Sequence, residues 1–220
     1  MAPVDAGGKG RMNRPLRIAV FGPESTGKTT LAGKLAAHFS APLVAEYARE
    51  FWDAHGVITL EDIPTIAREQ WRREDEACVR RNRADDLGGT RPPDGLEKCA
   101  REKTRSEAGF HLPAPKLIIC DTEALTTMLW SDLLYGTCPD DIRRGVEARA
   151  KNYGLYLLLD IDVPWTPDPQ RCFPDEEDRK KCWKIWRGAL ERRHLPFSII
   201  RGDWAQREQA AIAAVEAMLP

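Results

Sequence analysis

Gly22-Pro23-Glu24-Ser25-Thr26-Gly27-Lys28-Thr29 decides the fold of this 220-residue chain. The run fits G-x-x-x-x-G-K-[ST] and lies between an apolar stretch at 16–21 and a helical pattern at 28–39, the order a phosphate-cradling loop needs. Glycines let backbone amides turn inward, the helix that follows contributes the positive end of its dipole, and Lys28 neutralises charge. The Thr29 hydroxyl is of the right type to ligate Mg²⁺. A Gly-rich turn without a ligand is the alternative, but requiring Gly, Lys and Thr at fixed spacing makes a chance match rare. The loop therefore nominates Gly22, Glu24, Ser25, Thr26, Gly27, Lys28, Thr29 and Thr30 as binders of the phosphates of ATP.

Outward from the loop, short apolar runs alternate with longer helical patterns, the sequence form of βαβ units and a mostly parallel sheet. Strands are predicted at 16–21, 42–45, 117–120, 155–161 and 197–200. Helices are predicted at 28–39, 46–54, 61–83, 123–134, 140–152, 176–193 and 204–218. The fold class is α/β, a P-loop NTPase of the nucleoside and nucleotide kinase-like kind, with a five-stranded sheet flanked by helices. Ile63, Ile66, Ala67, Trp71 and Cys78 recur at helical spacing behind Thr59 and Asp62, a capping box. Residues 84–115 hold Gly and Pro among charges without a period and read as an insertion or mobile loop. Residues 1–15 read as a disordered tail ahead of one kinase domain over 16–220.

Composition excludes several other classes. With 33 Lys+Arg against 34 Asp+Glu, no overall field draws the chain to nucleic acid or anionic lipid. Arg80 to Arg83 and Arg179 to Lys181 read as solvated helix faces. Six cysteines form no C-x-x-C pair and no zinc spacing with the four histidines, so reduced thiols in a cytoplasmic protein are expected. No apolar run of signal-peptide or membrane-spanning length is present.

A second chemical element is Leu117-Ile118-Ile119-Cys120-Asp121, an apolar strand ending in a carboxylate. Asp121 would then share the metal with Thr29, directly or through water; capping of the helix at 123 is its other reading. Glu46-Tyr47-Ala48-Arg49-Glu50 follows the second strand, Asp121-Thr122-Glu123 opens a segment running through Thr126, Thr127 and Trp130 to Tyr135-Gly136, and Asp162-Val163-Pro164-Trp165 follows the fourth. Taken with the loop, these stretches resemble the ribosylnicotinamide kinase domain of NadR-type proteins from about Arg17 to the C-terminus. Ala45 stands where some members carry an aromatic. The resemblance implies transfer of the γ-phosphoryl of ATP, with Mg²⁺, to the 5′-hydroxyl of nicotinamide riboside, giving nicotinamide mononucleotide for NAD salvage. It also implies a small-molecule nucleoside as partner, with no nucleic acid and no membrane, and leaves the oligomeric state open.

Phosphoryl transfer needs positioning and charge neutralisation, so a hydroxyl-orienting carboxylate and mobile cations are sought. Glu46, at the carboxyl end of a predicted strand, is the candidate base; Asp121 is the alternative carboxylate, and a cap of the next helix is the structural reading of Glu46. Tyr47, Arg49, Gln70, Thr122 and Trp130 are candidates for the acceptor pocket. Gln70 would equally satisfy a backbone group, and Trp130 would equally be core. The irregular stretch at about 163–179 is expected to be a lid, with Arg171 and Arg179 joining Lys28, Glu46 and Asp121 as catalytic residues. Asp203 and Arg207 could edge the adenine site, although Asp203 with Gln206 is also a capping box.

Two other functions stay open: another nucleoside or nucleotide kinase, and a regulatory nucleotide-binding module. The N-K-x-D guanine reader that would favour a switch is missing, since Asn13, Asn82 and Asn152 are each followed by other residues.

Overall fold

The computed structural model describes residues 15–79 and 115–219. Most of the expected 1–15 tail, the 84–115 insertion and the end of the 61–83 helix, with the Arg80 to Arg83 run, lie outside the described residues. Five parallel strands form one sheet: β1 (Leu16–Phe21), β2 (Leu43–Val44), β3 (Leu117–Asp121), β4 (Leu155–Leu159) and β5 (Phe197–Ile200), in the spatial order β2-β3-β1-β4-β5. β3 and β4 are buried along their whole length and β1 over its last four residues, which is why these strands read as unbroken apolar runs rather than as alternation.

Among the described residues seven α-helices cover the faces: α1 (Lys28–His38), α2 (Tyr47–His55), α3 (Ile63–Val79), α4 (Ala124–Tyr135), α5 (Asp140–Arg149), α6 (Glu176–Arg192) and α7 (Trp204–Glu216). On one face Ile18, Val20 and Leu157 pack with Leu31 and Leu35 of α1 and Val215 of α7. On the other Phe21, Ile118 and Tyr156 pack with Leu125 and Met128 of α4 and Trp186 of α6. Full burial of a Leu or Ile side chain contributes roughly 1.5–3 kcal/mol, and both layers hold many. Among the described residues no helix is long and apolar enough to cross a membrane.

The register matters for the site. Val20 lies opposite Asp121 in the β1–β3 pair, so the loop that follows Phe21 and the carboxylate that ends β3 emerge side by side. The chain after β1 turns to one face and the chain after β3 to the other, which opens a crevice at the carboxyl edge of the sheet.

Several boundaries differ from the sequence expectation, among them the end of the 140–152 helix, which stops at Arg149 and passes into a 3₁₀ turn (Ala150–Asn152). β2 shrinks to two residues because it pairs only with β3, at the sheet edge, with Leu43 exposed. The run at 155–161 leaves the sheet after Leu159, where the Asp160 carboxylate accepts the Ile161 N–H. A 3₁₀ turn (Leu60–Asp62) precedes α3, and Asp62 accepts from both the backbone and the hydroxyl of Thr59. The irregular stretch after β4 ends at Asp175, because the acids Glu176, Glu177 and Asp178 suit the positive end of α6. The irregular segment is therefore 163–175, shorter than the 163–179 expected for a lid, and Arg179 lies in the helix expected at 176–193. Cys78, Cys120, Cys138, Cys172 and Cys182 are all free thiols.

Candidate active site

The phosphate loop takes its shape from backbone conformations that few residues adopt. Gly22 has φ +143°, and a Cβ there would meet the Leu159 carbonyl oxygen at 3.1 Å; only glycine lets the loop lie this close to β4. Ser25 has φ +56°. The Thr26 hydroxyl donates to the Pro23 carbonyl at 2.9 Å, and Lys28 Nζ donates to the same oxygen at 2.8 Å. Behind the loop Arg207 is buried, donating to the carbonyls of Gly202, Thr26 and Asp160 at 2.9 Å each and pairing with the Asp162 carboxylate. A residue suggested for the adenine edge thus clamps the phosphate loop to the end of β4. Asp203 caps α7, accepting from Gln206 N at 2.9 Å while the Gln206 side chain accepts from Asp203 N.

Asp121 is buried at the end of β3. Burial raises its pKa, against the pull of Thr29 and Lys28, so those three groups share one electrostatic neighbourhood. Its Oδ1 is buried with no hydrogen-bond partner among the described residues, and the cap of α4 is supplied instead by Glu123, which accepts from Leu125 N at 2.7 Å and Thr126 N at 3.3 Å. Hard oxygen donors from Thr29 and Asp121, with one carboxylate oxygen still to be satisfied, fit Mg²⁺. Among the described residues no cluster of three or more His, Cys, Asp or Glu suits a metal held by protein alone.

A cavity of about 280 Å³ adjoins the loop. It brings together Glu24, Ser25, Thr26, Gly27, Lys28, Thr29 and Thr30 of the loop with Glu46, Arg49, Trp130 and Arg171. The wall also includes Thr126, Thr127 and Tyr135 of the stretch that opens at Asp121, and Trp52, Ile58, Ile63, Ile66 and Leu134, which no motif nominated as site residues. Ile63 and Ile66 had been read as core face, and only the three-dimensional path of α3 past α4 shows that this face also meets the cavity. Glu46 occupies the N-cap position of α2, yet its side chain makes no capping bond. Desolvation raises its carboxyl to about 7, opposed by Lys28 and Arg49 and assisted by Asp121. A carboxyl that titrates near neutrality inside a cleft matches what general-base work requires.

Several expected site residues do not reach the cavity lining. Gln70 is buried behind it, with Oε1 accepting from Tyr47 N at 3.0 Å. The Tyr47 ring faces away, under the Arg73 guanidinium at 4.4 Å. Thr122 is a buried turn residue with φ +64°, its N–H donated to the Val20 carbonyl. Arg179 lies at the root of the 163–175 segment, donating to the Val163 carbonyl at 3.0 Å with its guanidinium 5.8 Å from the Trp165 ring centre. Trp130 is both wall and core: it lines the cavity and also stacks at 6.0 Å on Phe173 and meets Trp186 edge-on at 4.7 Å.

The 163–175 segment is tied across the loop at three points. Glu24 Oε1 accepts from the backbone N–H groups of Cys172 and Phe173 at 2.8 and 2.7 Å. Ser25 Oγ accepts from Thr166 N at 2.9 Å and from Arg171 at 3.4 Å. Arg49 forks onto Asp168 at 2.9 and 2.6 Å. A second cavity, of about 320 Å³, lies on the far side of the loop between Thr30, Leu31 and Lys34 of α1 and the half-exposed Trp204.

The sequence signature of the AAA domain family matches residues 17–207. No curated protein matches the chain in sequence. Among solved structures, a NadR protein in complex with NR superposes with a TM-score of 0.61 at 20% identity, covering 92% of this chain and 49% of that one. A NadR protein in complex with NAD and AMP-PNP gives 0.61 at 21% identity, with the same two coverages. The chain thus spans about half the length of those structures, and at this identity the likeness is one of fold.

Proposed function

The chain belongs to the AAA domain family, and from that premise we propose that it is a cytoplasmic, ATP-dependent kinase that phosphorylates the 5′-hydroxyl of nicotinamide riboside to give nicotinamide mononucleotide. The observation that carries this reading is the position of Glu46. Its carboxylate shares one cavity with the phosphate loop, is relieved of capping α2, and is poised near neutral pKa.

In this reading the loop amides and Lys28 hold the donor phosphates, and Thr29 and Asp121 hold Mg²⁺, which when bound neutralises charge on the β- and γ-phosphates. Glu46 accepts the proton of the acceptor hydroxyl as the oxygen attacks the γ-phosphorus and the bond from that phosphorus to the β–γ bridging oxygen breaks, releasing ADP. Arg171, beside Ser25, faces charge that develops on the transferring group. The apolar and aromatic wall receives a flat, weakly hydrated ring, for which a Trp130 face suits a pyridinium through cation–π attraction. The donor base is assigned to the second cavity, beside Trp204. Support from outside the chain is that a NadR protein of the same fold was solved with NR, and another with NAD and AMP-PNP.

The test is ADP release with Mg²⁺ and ATP over nicotinamide riboside, the common nucleosides and their monophosphates. Preferred turnover of nicotinamide riboside, with mononucleotide formed in step with ADP, is expected. Turnover of another acceptor with none of nicotinamide riboside would replace the substrate, and ADP release that no acceptor stimulates would remove the kinase reading.

A further inference from the structure

We infer that Asp168 sets this site against acceptors that already carry a phosphate, by occupying Arg49, the one cation among the described residues on the acceptor side of the cavity. The inference rests on the kinase reading only for its biological meaning; the charge arrangement stands on the geometry. Among the described residues three cations line the cavity: Lys28, Arg49 and Arg171. Lys28 donates into the phosphate loop and Arg171 to Ser25 of that loop and to the Thr166 carbonyl, so both belong to the donor end. Arg49, one helical turn beyond Glu46, is the remaining cation.

Its guanidinium is filled from the 163–175 segment. Nη1 and Nη2 donate to the two carboxylate oxygens of Asp168 at 2.9 and 2.6 Å, and Nη1 also donates to Gln170 Oε1 at 2.6 Å. Asp168 is held in place in turn by the Gln170 backbone N–H, 3.0 Å from its Oδ1. The shifts agree with the geometry: Arg49 holds the Asp168 carboxyl well below the usual range, and Asp168 raises Arg49.

A phosphomonoester dianion needs a guanidinium fork or its equivalent when it leaves water. With the Arg49 fork closed by a carboxylate, a phosphate on the acceptor meets Glu46, Asp168 and an apolar wall. A hydroxyl end meets no such penalty. Discrimination of this kind works by an unfavourable contact to the wrong ligand as much as by a good one to the right ligand.

The experiment uses ribose 5-phosphate, a monoester with no base, so the result does not depend on which base the pocket prefers. Calorimetric titration is run on the full chain saturated with Mg²⁺ and AMP-PNP, which keeps the probe out of the phosphate loop. Asp168→Asn, nearly isosteric and on an irregular surface segment, should bind ribose 5-phosphate at least about tenfold more tightly than wild type, the gain weakening with salt. Adding Arg49→Gln to Asp168→Asn should abolish the gain. Equal affinity of Asp168→Asn and wild type, with thermal unfolding unchanged, would overturn the inference, as would a gain that survives Arg49→Gln. If Asp168→Asn unfolds, Asp168→Ser and the single Arg49→Gln variant carry the same comparison: the first should gain affinity and the second should not. Failure of the kinase reading would appear separately, as no acceptor turnover by wild type, and would leave this binding result intact.

Discussion

The side chain of Gln70 accepts the backbone N–H of Tyr47 at 3.0 Å, a capping bond supplied to α2 from a neighbouring helix. Glu46 stands at the N-cap position of α2 and would ordinarily make such a bond with its own carboxylate. Because α3 contributes one instead, the Glu46 carboxylate remains on the cavity wall. Asp121 and Glu123 show the same division of labour: Glu123 caps α4, and Asp121 keeps an unpartnered oxygen beside the loop.

Gln70→Leu should therefore do two things at once. It leaves the Tyr47 N–H without its partner, at a cost of about 1–3 kcal/mol, or roughly 2–4 °C of Tm per kcal/mol for a chain of this size. It also allows Glu46 to turn back and cap α2, lowering kcat more than it raises KM for ATP. Calorimetry and steady-state rates check both; an unchanged Tm with unchanged kcat would show that the bond matters to neither.

Arg207→Met should weaken the phosphate loop from behind. The guanidinium is buried and serves three carbonyls and one carboxylate from three separate stretches of chain. Removing one partner of such a network costs on the order of 3–5 kcal/mol. Arg207→Lys should rescue little, since an ammonium lacks the planar fork that reaches these acceptors together. Denaturant unfolding gives the cost, and a loss below about 1 kcal/mol would mean that the clamp is dispensable.

The fold was legible in the sequence because its signals were local. The loop motif fixed β1 and α1, and buried parallel strands show themselves as apolar runs at 117–120 and 155–161, the second overrunning β4 by two residues. Of the residues the motifs nominated, Lys28, Thr29 and Asp121 lie in one electrostatic neighbourhood, and of the two readings of Asp121 the helix cap falls to Glu123 instead. The site was not legible where a side chain has two plausible uses. Of the two readings open to Gln70, the structure takes the backbone one, since it accepts the Tyr47 N–H; Arg179, expected both in a helix and in the lid, lies in α6 with its guanidinium against the Val163 carbonyl and the Trp165 ring. Arg49 pairing with Asp168 joins positions 119 apart, which spacing cannot reveal.

Stability should fall as pH rises from about 5 to 8. Glu74 is buried against Tyr153 Oη at 2.5 Å and Arg17 at 3.4 Å, and burial, opposed by Tyr153 and Arg17, raises its carboxyl to about 7. Glu123 is raised to about 8, first by burial. A carboxyl raised in the fold favours the protonated folded state, so its contribution is complete below the unfolded pKa of 4.5 and is lost as pH climbs through the folded value. Glu74→Gln should thus gain on wild type between pH 5 and pH 8, by about 3 kcal/mol at most. Parallel Tm curves for the two proteins across that range would rule out Glu74 as a source of the slope.

Glu46→Gln should separate chemistry from binding. The carboxylate lines the cavity from the end of β2, a different strand from the one that leads into the phosphate loop, so under the proposed reaction an isosteric amide keeps the pocket's shape but cannot take a proton. General-base assistance is worth about 10² to 10⁴ in rate; kcat should fall by that much while ATP affinity stays near wild type and Tm does not fall, since the buried carboxyl is raised in the fold just as Glu74 is. The pH dependence adds a second readout. Since the base works only when ionised and its carboxyl sits at about 7, kcat/KM for the acceptor in wild type should rise about tenfold per unit below pH 7 and level off above it. Glu46→Gln should lose that limb. Lys28→Ala should behave otherwise, weakening nucleotide binding and transfer together, because its ammonium faces phosphate in the ground and transition states alike. If Glu46→Gln keeps near wild-type kcat with the acid limb intact, the base is elsewhere, and Asp121, buried beside Thr29 and Lys28, becomes the carboxylate to replace.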